Sequence, residues 1–372
     1  MPEPLISVVM ATYNHAPFVA KAINSVLSQD FTDFEFLISD DGSEDQTAAV
    51  VAAQTDRRVH FKPNSLNRGA ALVLNELVGR ARGRYVAIMN SDDAWLPNKL
   101  SEQIEFLGKH PGIGAAFGRV RFVDRNGRAI EKKDLSFGPT FDKNNRSRGE
   151  WLRYFFFHGN CLCHPTVLIR REFYDRIGLY DNRLRQLPDF DMWIRLIKQT
   201  GIFVSDNDMI NFRVLPGENT SSDIYTNRVR TLNEHFFIAL EFFSNVSADL
   251  LRDGFADLLK RPEMPSEAHV AIEKAFLFLH PVLSLTHVYQ IVAMMKLREL
   301  LADSVCRDIL ARDYDFDDRA LHRLATEADG LQVQIAGVRG PSETPTKELG
   351  RIILQRLSTK MKIMIRRWAP SD

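Results

Sequence analysis

Apolar residues fall in short blocks along the first 110 positions, and the spacing inside the blocks alternates between two periods. Ile6-Ser7-Val8-Val9-Met10, Phe34-Glu35-Phe36-Leu37-Ile38, Val59-His60-Phe61 and residues 85–89 read as strands. Residues 17–29, 45–54 and 69–81 read as helices; in the first, Phe18, Val19, Ala22, Ile23, Val26 and Leu27 recur at helical spacing. Strand and helix in turn predict right-handed crossovers and a mainly parallel sheet. Further on, residues 100–107 and 190–198 are expected as helices and residues 113–122, 167–169, 202–205 and 210–214 as strands. Asp124-Arg125-Asn126-Gly127 has the form of a hairpin turn. Residues 134–149, rich in Gly, Pro, Asp, Asn, Arg and Ser, read as a polar loop with the composition of a mobile segment.

The pattern changes near residue 221. Pro216-Gly217-Glu218-Asn219-Thr220-Ser221-Ser222 gathers turn formers and marks a domain boundary. Beyond it residues 228–243, 248–259, 267–279, 285–302 and 305–311 are amphipathic helices. An α/β domain over 1–221 should therefore precede an all-α domain over 222–336, then a linker and last helix over 337–372. Within residues 347–368 Leu354, Leu357, Met361, Met364 and Trp368 form one apolar stripe, flanked by seven basic residues against the single acid Glu348. A basic amphipathic helix of this kind fits peripheral membrane contact through residues 347–368. Docking on protein is the equal alternative.

Composition narrows the class. The chain's 372 residues suffice for two domains with a full core, and 48 basic against 48 acidic side chains leave no net charge, which argues against nucleic acid as partner. Three cysteines (Cys161, Cys163 and Cys306) are too few for a disulfide framework and lack a second pair for a zinc site. They are expected as buried or semi-buried thiols. No basic start followed by an apolar stretch marks a signal peptide, and no uncharged apolar run reaches the roughly 18 residues of a spanning helix. A cytoplasmic location is expected, with the option of peripheral attachment at the inner face of a membrane.

Four predicted strand tips carry polar clusters, and strand tips line the ligand crevice of open α/β sheets. They are Thr12-Tyr13-Asn14, Asp40-Asp41-Gly42-Ser43, Asn67-Arg68-Gly69 and Asn90-Ser91-Asp92-Asp93. The third leads into a helix whose amino end favours phosphate. In the fourth, two adjacent carboxylates repel unless a cation or a donor-rich ligand offsets them, and hard oxygen ligands suit Mn2+ or Mg2+. Neither G-x-G-x-x-G after the first strand nor G-x-x-x-x-G-K-[ST] occurs, which argues against a dinucleotide dehydrogenase or a P-loop nucleotidase.

In their order and spacing these clusters resemble the inverting family-2 glycosyltransferases of the GT-A fold, over roughly residues 5–221. The resemblance continues through Ala81-Arg82-Gly83-Arg84-Tyr85, His164-Pro165-Thr166 and Pro188-Asp189-Phe190-Asp191-Met192-Trp193. It implies a Rossmann-like mainly parallel sheet and transfer of a sugar from a UDP, dTDP or GDP donor to a glycan or lipid-linked acceptor, with inversion. Surface polysaccharide or glycoconjugate synthesis is the implied setting. By the resemblance, Ala11, Tyr13 and Asp41 line the base and ribose, with Thr12, Asn14, Asn67 and Arg68 around the nucleotide. Asp92 lies beside the sugar, Asp93 and His164 face the metal, and Asp189 is the catalytic base. The loop 134–149 is a candidate lid. Three positions depart from the family pattern: Asn90 replaces an aspartate, Pro188 a glutamate, and Arg213-Val214-Leu215 ends without the histidine of Arg-x-His. The departures keep open a second reading, a catalytically silent GT-A module that binds a nucleotide sugar or acts as a scaffold.

Overall fold

The computed structural model describes residues 3–219, 224–282 and 284–328; the linker and the basic helix expected over 337–372 lie outside the described residues. The chain runs β1 (Ile6–Thr12), α1 (Ala16–Leu27), β2 (Phe34–Asp40), α2 (Thr47–Ala52), β3 (Val59–Pro63), α3 (Ala70–Arg80), β4 (Tyr85–Ile88), β5 (Ala94–Trp95) and α4 (Lys99–Lys109). It continues with β6 (Ile113–Val123), β7 (Ala129–Ile130), α5 (Arg148–His158), β8 (Leu168–Arg170), α6 (Glu172–Ile177), α7 (Pro188–Ile197) and β9 (Gly201–Arg213). Helices follow: α8 (Tyr225–Glu241), α9 (Ala248–Phe255), α10 (Glu267–Leu277), α11 (Thr286–Ala302), α12 (Ser304–Tyr314) and α13 (Asp318–Glu327).

The strands form one sheet in the order β3-β2-β1-β4-β8-β6-β9-β5, with β7 paired to β6. β3, β2, β1 and β4 are parallel neighbours, as the alternating pattern predicts. β8 then inserts antiparallel to both β4 and β6, while β6 and β9 run parallel. The central strands are apolar on both faces because both faces are covered. On β1, Ile6, Val8 and Met10 face a layer built from α1, α2 and α4, whereas Val9 faces α3 and α7 on the other side. Successive side chains point to opposite faces, so this division follows from strand geometry alone.

Two expectations need correction. Residues 202–205 and 210–214 are not separate strands but parts of the 13-residue β9. The polar Asp206-Asn207-Asp208 that suggested a break lies where the β6–β9 register shifts, near Gly118 and Arg119. The loop 134–149 also holds more secondary structure than its composition predicts. A 3-10 turn at Gly138–Phe141 seats Phe141 against Phe122 and Phe212, and Ser147 and Glu150 form a capping box that starts α5.

The helices after residue 224 share a core with the sheet layer. Phe156 of α5 packs among Phe242, Phe243, Phe255, Phe278 and Tyr289, and the Tyr289 hydroxyl donates to the Phe156 carbonyl at 2.9 Å. α5 and α9 cross closely: a Cβ on Gly149 would lie 2.4 Å from the Gly254 nitrogen, so only glycine fits there. Among the described residues no helix is long and apolar enough to cross a membrane. The three cysteines are free, with Cys161 and Cys163 buried.

Candidate active site

The four tips foreseen from the sequence meet at one end of the parallel strands, tied by their own polar groups. The Asn14 N–H donates to the Ser43 hydroxyl and its side-chain oxygen accepts from the Glu44 N–H, both at 2.9 Å. Asn14 adopts φ 52°, a left-handed conformation that asparagine tolerates better than most residues. Asp41 is buried, and its two oxygens accept the N–H groups of Arg68 and Gly69, each at 2.9 Å. Gly42 lets these segments approach: at φ +74° a Cβ there would lie 2.7 Å from the Leu66 carbonyl carbon. His15 Nδ1 bonds the Ser91 hydroxyl at 2.7 Å, linking the first tip to the fourth.

The side chains at these tips differ in what they leave available. Tyr13, Asn14 and Asn67 are exposed, and Ala11 is half-buried against the core. The Thr12 hydroxyl is buried with no hydrogen-bond partner, a group that a bound ligand could satisfy. Arg68 does not stand free for phosphate: its guanidinium holds Glu76 through two bonds of 2.7 and 2.8 Å. Its backbone N–H, through Asp41, is what ties it to the site.

Asp92 and Asp93 are both buried. Asp93 accepts the Arg213 N–H at 2.8 Å and the Asn90 amide at 3.2 Å; Asp92 accepts the Asn219 amide at 3.0 Å. Burial pushes both carboxyls upward, and for Asp93 the Asp92 charge adds to it. Arg213 is buried beneath the pair and makes no ion-pair contact with either carboxylate. Its guanidinium donates to the carbonyls of Asp92, Asp124 and Arg125 and lies 4.8 Å over the Phe18 ring. Two hard carboxylates with part of their charge uncompensated suit a divalent cation. Among the described residues no group of three or more His, Cys, Asp and Glu side chains gathers for a metal, so most ligands to such an ion would come from substrate and water.

His164 is not part of such a group. Its Nε2 bonds the Tyr180 hydroxyl at 2.9 Å and its ring packs near Trp193. Burial drives its pKa down to about 4, so the ring is neutral, the form a ligand needs, but only Nδ1 remains for that use.

Asp189 stands in the first turn of α7. Asn160 donates to one of its oxygens and the Phe190 N–H to the other, both at 2.8 Å. Burial outweighs these bonds and lifts its pKa to about 6. Asp191, the other acid of this turn, is committed to Arg195 at 2.7 Å. The buried Cys163 thiol is pushed well above its usual range, first by desolvation and then by the charges of Asp93 and Asp189. The thiol thus lies within electrostatic reach of both acids.

Sequence reasoning missed several partners. Asn219 looked only like part of the turn-forming boundary segment, Ser91 only like part of its cluster, and His15 and Asn160 gave no signal. The loop before α7 is held by Glu234 of α8, whose carboxylate accepts the N–H groups of Arg185, Gln186 and Leu187 at 2.8–2.9 Å.

A sheet whose parallel tips converge on paired acids, with a further carboxylate at a helix start within reach of the same buried thiol, is the architecture of a GT-A glycosyltransferase. Residues 7–178 match the model of Glycosyl transferase family 2. Escherichia coli WfgD, a UDP-Glc:alpha-D-GlcNAc-diphosphoundecaprenol beta-1,3-glucosyltransferase, is 34% identical over 250 residues, 66% of this chain and 89% of WfgD. An uncharacterized glycosyltransferase of Methanocaldococcus jannaschii is 29% identical over 254 residues, 66% of this chain and 84% of that relative. Residues 1–349 of S. aureus TarS, solved with UDP-GlcNAc, share the fold with a TM-score of 0.55 at 19% identity, covering 87% of this chain and 88% of that one. The chain belongs to glycosyl transferase family 2 and is a glycosyltransferase.

Proposed function

We propose that the chain transfers a sugar from a nucleoside-diphosphate donor (UDP, dTDP or GDP) to a hydroxyl of a glycan or lipid-linked acceptor, with inversion at the anomeric carbon. The observation that carries this reading is the convergence of the four tips on Asp92 and Asp93, with Asp189, raised to about 6, acting on the same buried Cys163 thiol as Asp93. Ala11, Thr12, Tyr13, Asn14, Asp41, Asn67 and Arg68 would border the nucleotide, with the unpartnered Thr12 hydroxyl as one contact. Asp93, with Asp92 beside it, would hold Mn2+ or Mg2+, and a bound cation offsets charge on the departing diphosphate. Asp189, ionised above about pH 6, would accept the acceptor hydroxyl's proton on a carboxylate oxygen while Asn160 fixes its orientation. The kinship to WfgD supports a lipid-linked acceptor, and hence surface polysaccharide or glycoconjugate synthesis at the cytoplasmic face of a membrane.

The test compares Asp189→Asn with Asp191→Asn, measuring donor binding and transfer separately. Asp189→Asn should bind the donor like wild type and lose transfer, while Asp191→Asn should keep a substantial rate. Loss of transfer only in Asp191→Asn would move the base to Asp191.

A further inference from the structure

A groove of about 380 Å3 opens where α8 meets the loop leading into α7. Arg183, Arg185, Arg230, Glu234, Phe236 and Phe237 line it, together with Asn233. Glu234 is its single acid, and that carboxylate is already spent on three backbone N–H groups. Arg183 pairs with Asp181 at 2.8 Å, but among the described residues no carboxylate pairs with Arg185 or Arg230. The result is a concave surface with an uncompensated positive charge, the setting in which guanidinium groups take a phosphate through two parallel bonds.

The same surface continues into apolar side chains. Tyr225, Val229, Leu232 and Phe236 follow one another at four-, three- and four-residue spacing on one side of α8. Tyr225 is 73% exposed and Phe237 54%. A helix docked inside a protein would bury such a stripe. The chain's own basic segment, 347–368, is an unsuitable cover, since its charge has the sign of the arginines.

Position then joins this groove to the chemistry. Only Gln186, Leu187 and Pro188 separate Arg185 from Asp189, and the ring of His235, next to Glu234, packs 5.7 Å from that of Phe190. We infer that the groove is the acceptor subsite and that it takes a sugar diphosphate carrying a hydrocarbon tail. Arg183, Arg185 and Arg230 hold the diphosphate, the tail lies along the stripe of Tyr225, Val229, Leu232 and Phe236 with Phe237 at the groove's edge, and the sugar beyond the diphosphate reaches Asp189. The inference rests on the proposed role of Asp189 as base.

Calorimetry on the full chain tests it with farnesyl diphosphate, farnesol and inorganic pyrophosphate as probes, and with UDP, dTDP and GDP plus Mn2+ as controls. Farnesyl diphosphate should bind more tightly than either fragment, and saturating nucleotide should leave its affinity unchanged. Arg185→Glu with Arg230→Glu should weaken it at least tenfold, Phe237→Ser severalfold, and neither should alter nucleotide binding. If the reversed charges disturb nucleotide binding as well, Arg185→Gln with Arg230→Gln carries the same expectation. Equal affinity in variant and wild type, displacement of the probe by nucleotide, or no binding at all overturns the assignment. So does a dimer that Arg185→Glu with Arg230→Glu dissolves, since the groove would then be an interface between copies. Failure of all three nucleotides to bind wild type would instead count against the glycosyltransferase site, whatever the farnesyl diphosphate result.

Discussion

Replacing Asp189 with asparagine keeps the shape of the side chain and removes its charge, so activity and stability should move in opposite directions. Burial lifts this carboxyl from 3.8 to about 6. Between those values the folded chain holds a proton that the unfolded chain has released. Stability contributed by the protonated form is therefore lost as pH rises through this window, and the full cost is present above it. The difference amounts to about 3 kcal/mol, at about 1.4 kcal/mol per pH unit. Partial access of water lowers that figure. Asparagine also returns some of the gain, because its one carbonyl oxygen cannot accept from both Asn160 and the Phe190 N–H, a loss of about 1 kcal/mol. A net stabilisation of about 1–2 kcal/mol is expected near neutral pH, shrinking steadily as pH falls from about 6 towards about 4. Thermal unfolding of both proteins across that range measures it. In parallel, transfer should drop by about 10²–10⁴ in the variant, and wild-type kcat/KM should fall with a one-proton slope below about pH 6. A stability difference that ignores pH, or a variant that transfers at the wild-type rate, would refute the assignment of Asp189 as a buried base.

Lys99→Met should also stabilise the fold. The ammonium is fully buried, with Gln103 at 2.9 Å and the Trp95 ring at 4.1 Å as neighbours, and desolvation lowers its pKa to about 7. Because the unfolded lysine takes up its proton first, stability is lost as pH falls from 10.5 to about 7, so the gain in melting temperature should be larger at pH 7 than near pH 10. Gly42→Ala should destabilise by about 2–4 kcal/mol in chemical unfolding, since it combines a positive φ with a backbone clash. It should weaken nucleotide binding too, because the displaced Leu66–Asn67 backbone leads directly into the Arg68 and Gly69 N–H groups that Asp41 holds.

The parts of the fold that could be read from sequence were those set by local geometry. β1, β2 and β4 announce themselves by apolar runs ending in polar residues, since a strand covered on both faces has no reason to alternate. α5 escaped because Trp151, Leu152, Tyr154, Phe155, Phe156 and Phe157 blur its period, and aromatic packing on several sides removes the amphipathic signature. Its Ser147-x-x-Glu150 cap was the available signal. Site legibility followed the same division. Asp92, Asp93 and Asp189 sit at element ends that a pattern can locate. Arg213 and Asn219 meet the acid pair from 120 or more residues away, through contacts that no local pattern encodes. Arg68 shows the converse: its position was legible, but its pairing with Glu76 on the next helix was not.

On the proposed function, the acid pair at the tip of β4 serves a metal-bound nucleoside diphosphate. Thermal unfolding in the presence of UDP, dTDP or GDP, with Mn2+ or with a chelator, tests it most directly in wild type and Asp93→Asn. One nucleotide should stabilise wild type by about 2–3 kcal/mol at about a hundredfold excess over its Kd. The effect should need the metal and be absent in Asp93→Asn, whose unliganded stability should be no lower than wild type because a buried charge has been removed. A nucleotide that stabilises both proteins equally, with or without metal, would contradict the account.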